Sequence, residues 1–191
     1  MYPLSSSPIR DTVQETVRLA FDDAATGDLK IKVDGRVLHV HSSILKIRCQ
    51  YFRSMLADHW LEAKSDCVEL DQYAYGVYRA FLYYLYTDTV DADCLSEEEL
   101  LSLLDLANSY CEQSLKDKCA ELLRRAICVD NALLLYAAAL RLDARELDTF
   151  CFQFCMNHTS AVVESEAFQK LDGSAVKQFV LEAARHGAFK H

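Results

Sequence analysis

The chain has 191 residues, of which 51% are hydrophobic and 26% charged, and its formal net charge is −9. That length and apolar content support one large domain or two small ones with a real core, and they exclude disorder over most of the chain. The acidic balance, with no short Lys/Arg-rich patch, excludes a nucleic-acid partner, and the absence of a run of about 18 apolar residues excludes a membrane-spanning helix.

Residues 1–10 are polar, contain Pro3 and Pro8, and lack the apolar stretch of a signal peptide, so they are expected to be a flexible lead on a soluble, intracellular protein. From Asp11 to Phe21 the spacing of Val13, Val17 and Phe21 predicts an amphipathic helix. Leu29, Ile31 and Val33 then alternate with Lys30 and Lys32, the pattern of a half-buried strand. Asp34-Gly35 predicts a two-residue turn, which sets Val33 opposite Arg36, Ile31 opposite Leu38 and Leu29 opposite Val40. In that register the two apolar faces coincide, and Asp28 comes opposite His41.

Ile44, Leu45 and Ile47 open a short helix, and Tyr51, Phe52, Met55 and Leu56 give the apolar face of a second, expected to end on Trp60-Leu61-Glu62. A large apolar residue and an acid displayed at a helix end point to a docking surface rather than a catalytic cleft. Val68 and Leu70 predict a third short strand, and Tyr78, Phe81, Leu82 and Leu85 a helix that stops at Thr87-Asp88. Ser96 with Glu99 has the form of a capping box, and only helices are expected beyond it, the last from Ser174 to Arg185 after an Asp172-Gly173 break. Within that half Ala107, Tyr110, Leu115, Cys119 and Leu122 map at an offset of 32 residues onto Ala139, Leu142, Leu147, Cys151 and Phe154, which predicts two stacked helix pairs.

No catalytic signature is present: no Gly-rich phosphate loop, no G-x-S-x-G, no H-E-x-x-H and no Cys-x-x-Cys. Five glycines are few for a phosphate cradle. The eight cysteines fall mostly at apolar positions of helical patterns and are expected to be reduced, buried thiols. Cys151, Cys155 and His158 share helical spacing, as His39 and His41 share strand spacing, but neither set has the further ligands a metal needs, so core packing and a structural role are preferred. No cofactor and no metal is expected.

The run from Asp28 to His41, then Ile44-Leu45, Tyr51-Phe52 with Met55-Leu56, Tyr83 to Asp88, and Leu103 to Tyr110 with Leu115 and Cys119 resembles the BTB (POZ) domain. Val129 to Asn131, Cys151 to Phe154 and Val162 to Phe168 resemble a shortened BACK region. Within that family His39-Val40-His41, Leu45 to Cys49, His59-Trp60, Tyr84 to Val90 and Gly187 to Lys190 are most similar to the C-terminal half of proteins that join regulator-of-chromosome-condensation repeats to a BTB domain; their N-terminal propeller has no counterpart here. The resemblance implies an α+β chain: residues 11–127 a BTB/POZ fold with a small hairpin-containing sheet surrounded by helices and an N-terminal dimerisation helix, and residues 128–191 an all-helical short BACK region.

It also implies a function. Many BTB–BACK proteins dimerise and recruit cullin-3, bringing a RING ubiquitin ligase to a substrate protein held elsewhere. Their cullin-facing helix ends in a large apolar residue, any residue, then Glu, which Trp60-Leu61-Glu62 matches. The expectation is therefore a non-catalytic homodimeric adaptor with an unknown substrate protein. Met55, Leu56, His59, Trp60 and Glu62 would face the cullin-3 N-terminal domain, and Val13, Val17, Phe21, Asp28 and Ser42 the second copy. The alternative is a self-association scaffold with no ligase role. Ser42 departs from the pattern, because many dimeric relatives carry a basic residue there as partner to the Asp at position 28, so the charged pocket between subunits is not carried over.

Overall fold

A computed structural model describes residues 12–57, 66–170 and 173–185. The chain divides into two units, the first ending at Val90 and the second beginning at Asp91.

The first unit opens with α1 (Val13–Leu19), whose first turn is closed by a reciprocal Thr12–Glu15 capping box. Asp34 and Gly35 then take φ of 51° and 73°. Two consecutive positive values turn the chain with the right-handed twist of its strands, so β1 (Leu29–Val33) pairs tightly with β2 (Arg36–Val40). The register is the expected one, with Leu29 opposite Val40, Ile31 opposite Leu38 and Val33 opposite Arg36. All five apolar residues Leu29, Ile31, Val33, Leu38 and Val40 are buried on one face.

Two short helices come next, α2 (Ser42–Arg48) and α3 (Gln50–Met55), joined at the extended, buried Cys49. The chain returns as β3 (Cys67–Glu69), which lies parallel to β1, so the sheet order is β2-β1-β3. Then α4 (Tyr75–Thr87) lays Val77, Tyr78, Phe81, Leu82 and Leu85 into the core. Each such full burial contributes roughly 1.5–3 kcal/mol. The hairpin turn helps seat this helix: Asp34 accepts the Tyr75 amide at 2.8 Å, and the Arg36 guanidinium lies 3.5 Å over the Tyr75 ring. Asp88 ends α4 in the left-handed conformation, where the expected stop lay.

One expectation fails here. The helix carrying Tyr51 and Phe52 does not run on to Trp60. α3 ends at Met55, Leu56 leaves helical geometry, and the Ala57 amide falls back on Ser54 in a tighter turn of 3.4 Å.

After a single 3-10 turn at Ala92–Cys94, the second unit is helical throughout its described residues: α5 (Glu97–Ser109), α6 (Gln113–Arg125), α7 (Ala132–Arg141), α8 (Arg145–Asn157), α9 (Thr159–Glu164), α10 (Glu166–Lys170) and α11 (Gly173–Arg185). The Ser96–Glu99 capping box opens α5 as read from sequence. α5 packs on α6 and α7 on α8, and the two pairs repeat each other in detail. Cys111 and Asp143, 32 positions apart, both take left-handed φ, 58° and 50°. The next amides, of Glu112 and Ala144, reach back to the carbonyls of Ala107 and Ala139 at the same distance, 2.8 Å. Asn131 closes the loop before α7, accepting the Cys128 amide and donating to Ala126 and Glu97. α11 is held by Phe179 in a ring cluster with Tyr136 and Phe152, and by the Tyr136 hydroxyl, which donates to Glu182 at 2.8 Å.

None of the eight cysteines is in a disulfide, and only Cys49, Cys119, Cys151 and Cys155 are buried. The other four, Cys67, Cys94, Cys111 and Cys128, are exposed, which corrects the expectation of buried thiols. They sit at a strand edge and at turns, where a small polar-tolerant side chain needs no core contact. Cys151 and Cys155 belong to the core while His158 is exposed at the end of α8, so the three do not converge on one point.

Candidate protein-docking surfaces

The two docking surfaces expected from sequence both belong to the first unit. The cullin-facing candidates lie at and beyond the end of the α2–α3 pair. Leu45 and Phe52 are fully buried, and Phe52 stacks on Phe81 of α4 at 6.2 Å, which fixes the angle at which α3 leaves the core. Arg53 folds back onto the end of α2, its Nε donating to the Lys46 carbonyl at 2.8 Å and its Nη2 to the Ile47 carbonyl at 3.1 Å. These bonds satisfy carbonyls that a helix end leaves open, and they lock the two helices together. Met55 and Leu56 are half-buried at the end of α3, while Ile47 and Tyr51 stand out from the same helix pair, Ile47 at 72% exposure. His59, Trp60, Leu61 and Glu62 lie outside the described residues.

The second surface starts with α1. None of its residues is buried, and Val13 and Leu19 are 81% and 65% exposed. Val17 is half-buried. A residue just past its C-terminal end tethers the helix: Phe21 lodges edge-on against Tyr83 and Tyr86 of α4, both at 5.3 Å, with the Arg79 guanidinium over its face at 5.7 Å. Phe21 therefore commits much of its apolar surface within its own chain, whereas Val13 does not.

Asp28 and Ser42 are brought together at the start of α2. The Ser42 amide donates to one Asp28 oxygen at 2.7 Å and the hydroxyl to the other at 2.6 Å. Burial pushes the Asp28 carboxyl up, but these two bonds more than offset it and hold the group below the usual carboxylate range. The serine thus satisfies the carboxylate in the position where a basic residue was expected by family pattern.

Beside this pair lies a residue that the sequence did not single out as functional. The Tyr86 hydroxyl accepts the His41 amide at 2.7 Å and meets the His41 Nδ1 at 2.9 Å. Burial, with a further contribution from the Asp28 charge, pushes the phenol up to about 12 against the lowering effect of the His41 amide. Only the aromatic run Tyr83-Tyr84-Leu85-Tyr86 hinted at it, and nothing local connects Tyr86 to a residue 45 positions earlier. Among the described residues no group of three His, Cys, Asp or Glu side chains is arranged to hold a metal ion, and no helix is long and apolar enough to cross a membrane.

Comparison with known proteins adds the family. A family model for the BTB/POZ domain matches residues 20–127, which spans the sheet, α2 to α4 and the first two helices of the second unit. The chain is 30% identical over 148 residues to human Inhibitor of Bruton tyrosine kinase, covering 76% of this chain but 11% of that protein. It is 28% identical over 158 residues to Kelch repeat and BTB domain-containing protein 4 of Macaca fascicularis, covering 83% of this chain and 28% of that one. Identity to bovine BTB/POZ domain-containing protein 9 is also 28%, over 156 residues, with 81% and 26% covered. The chain thus spans between about a tenth and a third of the curated relatives it matches. A solved structure of the BTB domain of human Gigaxonin aligns with a TM-score of 0.44 and 21% identity, covering 63% of this chain and 99% of that one. With its α+β architecture, three-stranded sheet and surrounding helices, the chain belongs to the BTB/POZ domain family.

Proposed function

We propose that this chain is a homodimeric, non-catalytic adaptor that recruits the N-terminal domain of cullin-3, and with it a RING ubiquitin ligase, to a substrate protein held elsewhere. The observation that carries the reading is the α2–α3 pair, pinned by Phe52 and Arg53, together with the motif Trp60-Leu61-Glu62 that begins five residues after Met55 in sequence. A rim tryptophan can fill a partner pocket, and an acid two residues on can add a charge-assisted hydrogen bond. Met55, Leu56 and His59 would complete that surface. Dimerisation is supported by α1, whose exposed Val13 and Leu19 leave an apolar face free while Phe21 anchors the helix. Residues 128–191 would serve as a short BACK region, in the manner of the BTB proteins that carry regulator-of-chromosome-condensation repeats.

Light scattering of the purified chain, alone and with the cullin-3 N-terminal domain, tests both parts. The expected result is a dimer that gains mass on adding cullin, with binding weakened by about tenfold or more in Trp60→Ala and in Glu62→Arg. Absence of a complex at tens of micromolar overturns the adaptor reading, and a dimer indifferent to both substitutions would leave the scaffold alternative.

A further inference from the structure

Among the described residues β2 is an edge strand, because the sheet order is β2-β1-β3. An edge strand turns alternate backbone N–H and C=O groups outward, where they can template pairing with another chain. The outward set is fixed by β1. The Lys30 amide bonds the Asp66 carbonyl at 2.8 Å and the Leu70 amide bonds the Lys32 carbonyl at 2.9 Å, so residues 30 and 32 face β3 and residues 29, 31 and 33 face β2. Opposite the latter stand Val40, Leu38 and Arg36. The backbone groups of Val37, His39 and His41 therefore point away from the sheet.

Side chains occupy two of those three amides. The His39 amide donates to Asp22 Oδ1 at 2.9 Å, and the His41 amide donates to the Tyr86 hydroxyl at 2.7 Å. The His39 ring also approaches the same Asp22 oxygen, at 3.6 Å. To make its contact Asp22 takes a φ of 59°, a left-handed conformation that Asp tolerates better than most residues but that still costs free energy. Its neighbour Phe21, wedged against Tyr83 and Tyr86, holds it there.

We propose that Asp22 is an edge cap that keeps β2 from pairing with β2 of a second copy. A second copy is the natural intruder. Antiparallel pairing about Leu38 would set Arg36 opposite Val40 and Val37 opposite His39, with no like charges opposed. Val37 is already 40% exposed, and the five residues Arg36–Val40 include two β-branched valines. The cap acts through the acceptor oxygen and the left-handed backbone together.

Two substitutions isolate the acceptor oxygen. Asp22→Asn keeps an acceptor oxygen and tolerates the backbone conformation, whereas Asp22→Gly keeps the conformation and removes the acceptor. In residue-resolved hydrogen exchange, Asp22→Gly should speed the His39 amide by about tenfold or more while Leu38 and Val40 keep their wild-type rates. Its particle size in sedimentation should rise with concentration above that of the wild type, and Asp22→Asn should match the wild type in both. Adding Val37→Pro to Asp22→Gly should restore the wild-type size, because proline offers no amide to an outer strand, whereas aggregates of unfolded chain would persist. An unchanged His39 rate in Asp22→Gly, a size equal to the wild type, or larger particles that Val37→Pro fails to dissolve would each overturn the proposal. Because every comparison is with the wild type's own size, the outcome does not depend on whether α1 forms a dimer.

Discussion

Ser42 gives the Asp28 carboxylate both its amide and its hydroxyl, at 2.7 and 2.6 Å. The bond ties the residue before β1 to the first residue of α2, so the hairpin and the helix after it are joined by a carboxylate that needs no basic partner. Ser42→Ala keeps the amide bond and removes the hydroxyl. It should cost about 0.5–1 kcal/mol, at the low end of a charged hydrogen bond because the site is open to solvent. The Asp28 carboxyl should titrate higher in that variant, as read from its side-chain carbon shift against pH. Since the folded carboxyl lies below its ordinary value, its contribution is complete above the ordinary aspartate range and disappears as pH falls through the lowered folded value. The stability gap between wild type and Ser42→Ala should therefore narrow in acid.

Tyr86→Phe keeps the ring that holds Phe21 but strips the acceptor from the His41 amide. A part-buried amide left without a partner costs about 1–3 kcal/mol, so denaturant unfolding should show a loss of that size. The phenol supplies a second test. Its folded value, pushed up to about 12, lies above the ordinary value of 10.0, so folding favours the neutral form and that contribution is lost as pH rises between the two. Tyr136 is also pushed up, by burial and by its bond to Glu182, so ultraviolet titration should show one fewer late-ionising tyrosine in Tyr86→Phe than in the wild type.

Cys111 holds a left-handed φ of 58° in the turn between α5 and α6, with its side chain exposed. Glycine adopts that conformation without a Cβ clash and loses no packing there. Cys111→Gly should stabilise the protein by about 1 kcal/mol in thermal or denaturant unfolding. Asp143→Gly, at the matching position of the second helix pair, should gain less, because Asp tolerates the conformation and Asp143 also pairs with Arg145.

Val13→Glu combined with Leu19→Glu charges the open face of α1. Because both side chains are largely exposed, stability of the isolated chain should change by no more than about 0.5 kcal/mol. If α1 packs on a second copy, the dissociation constant measured by sedimentation should rise by about tenfold or more. An unaltered dimer would place the interface elsewhere.

The hairpin was legible to the residue because two local rules agree. Asp34-Gly35 sets the turn, and the period-two alternation admits only one register that keeps both apolar faces inward. The capping box at Ser96 and the stop at Asp88 were legible for the same reason, since each depends on a few neighbouring residues. The offset-32 repeat was visible only as matched apolar positions; the structure shows that its firmest copy is in the turn backbone, where Cys111 and Asp143 share a conformation that their chemistry does not advertise. The end of α3 was misjudged because apolar spacing runs past Met55 while the backbone hydrogen bonds do not. Half the cysteines were misplaced because helical periodicity says little about residues at turns and strand ends.

Sequence alone determined the family, the hairpin register, the helical second half and the motif Trp60-Leu61-Glu62 on which the adaptor reading rests, because each is written in short-range pattern. Only the tertiary structure decided that Ser42 satisfies Asp28, that Tyr86 receives the His41 amide and that Asp22 caps β2. Those contacts join residues 14, 45 and 17 positions apart. A hydrogen bond of that span depends on how packed elements converge, which local spacing does not encode.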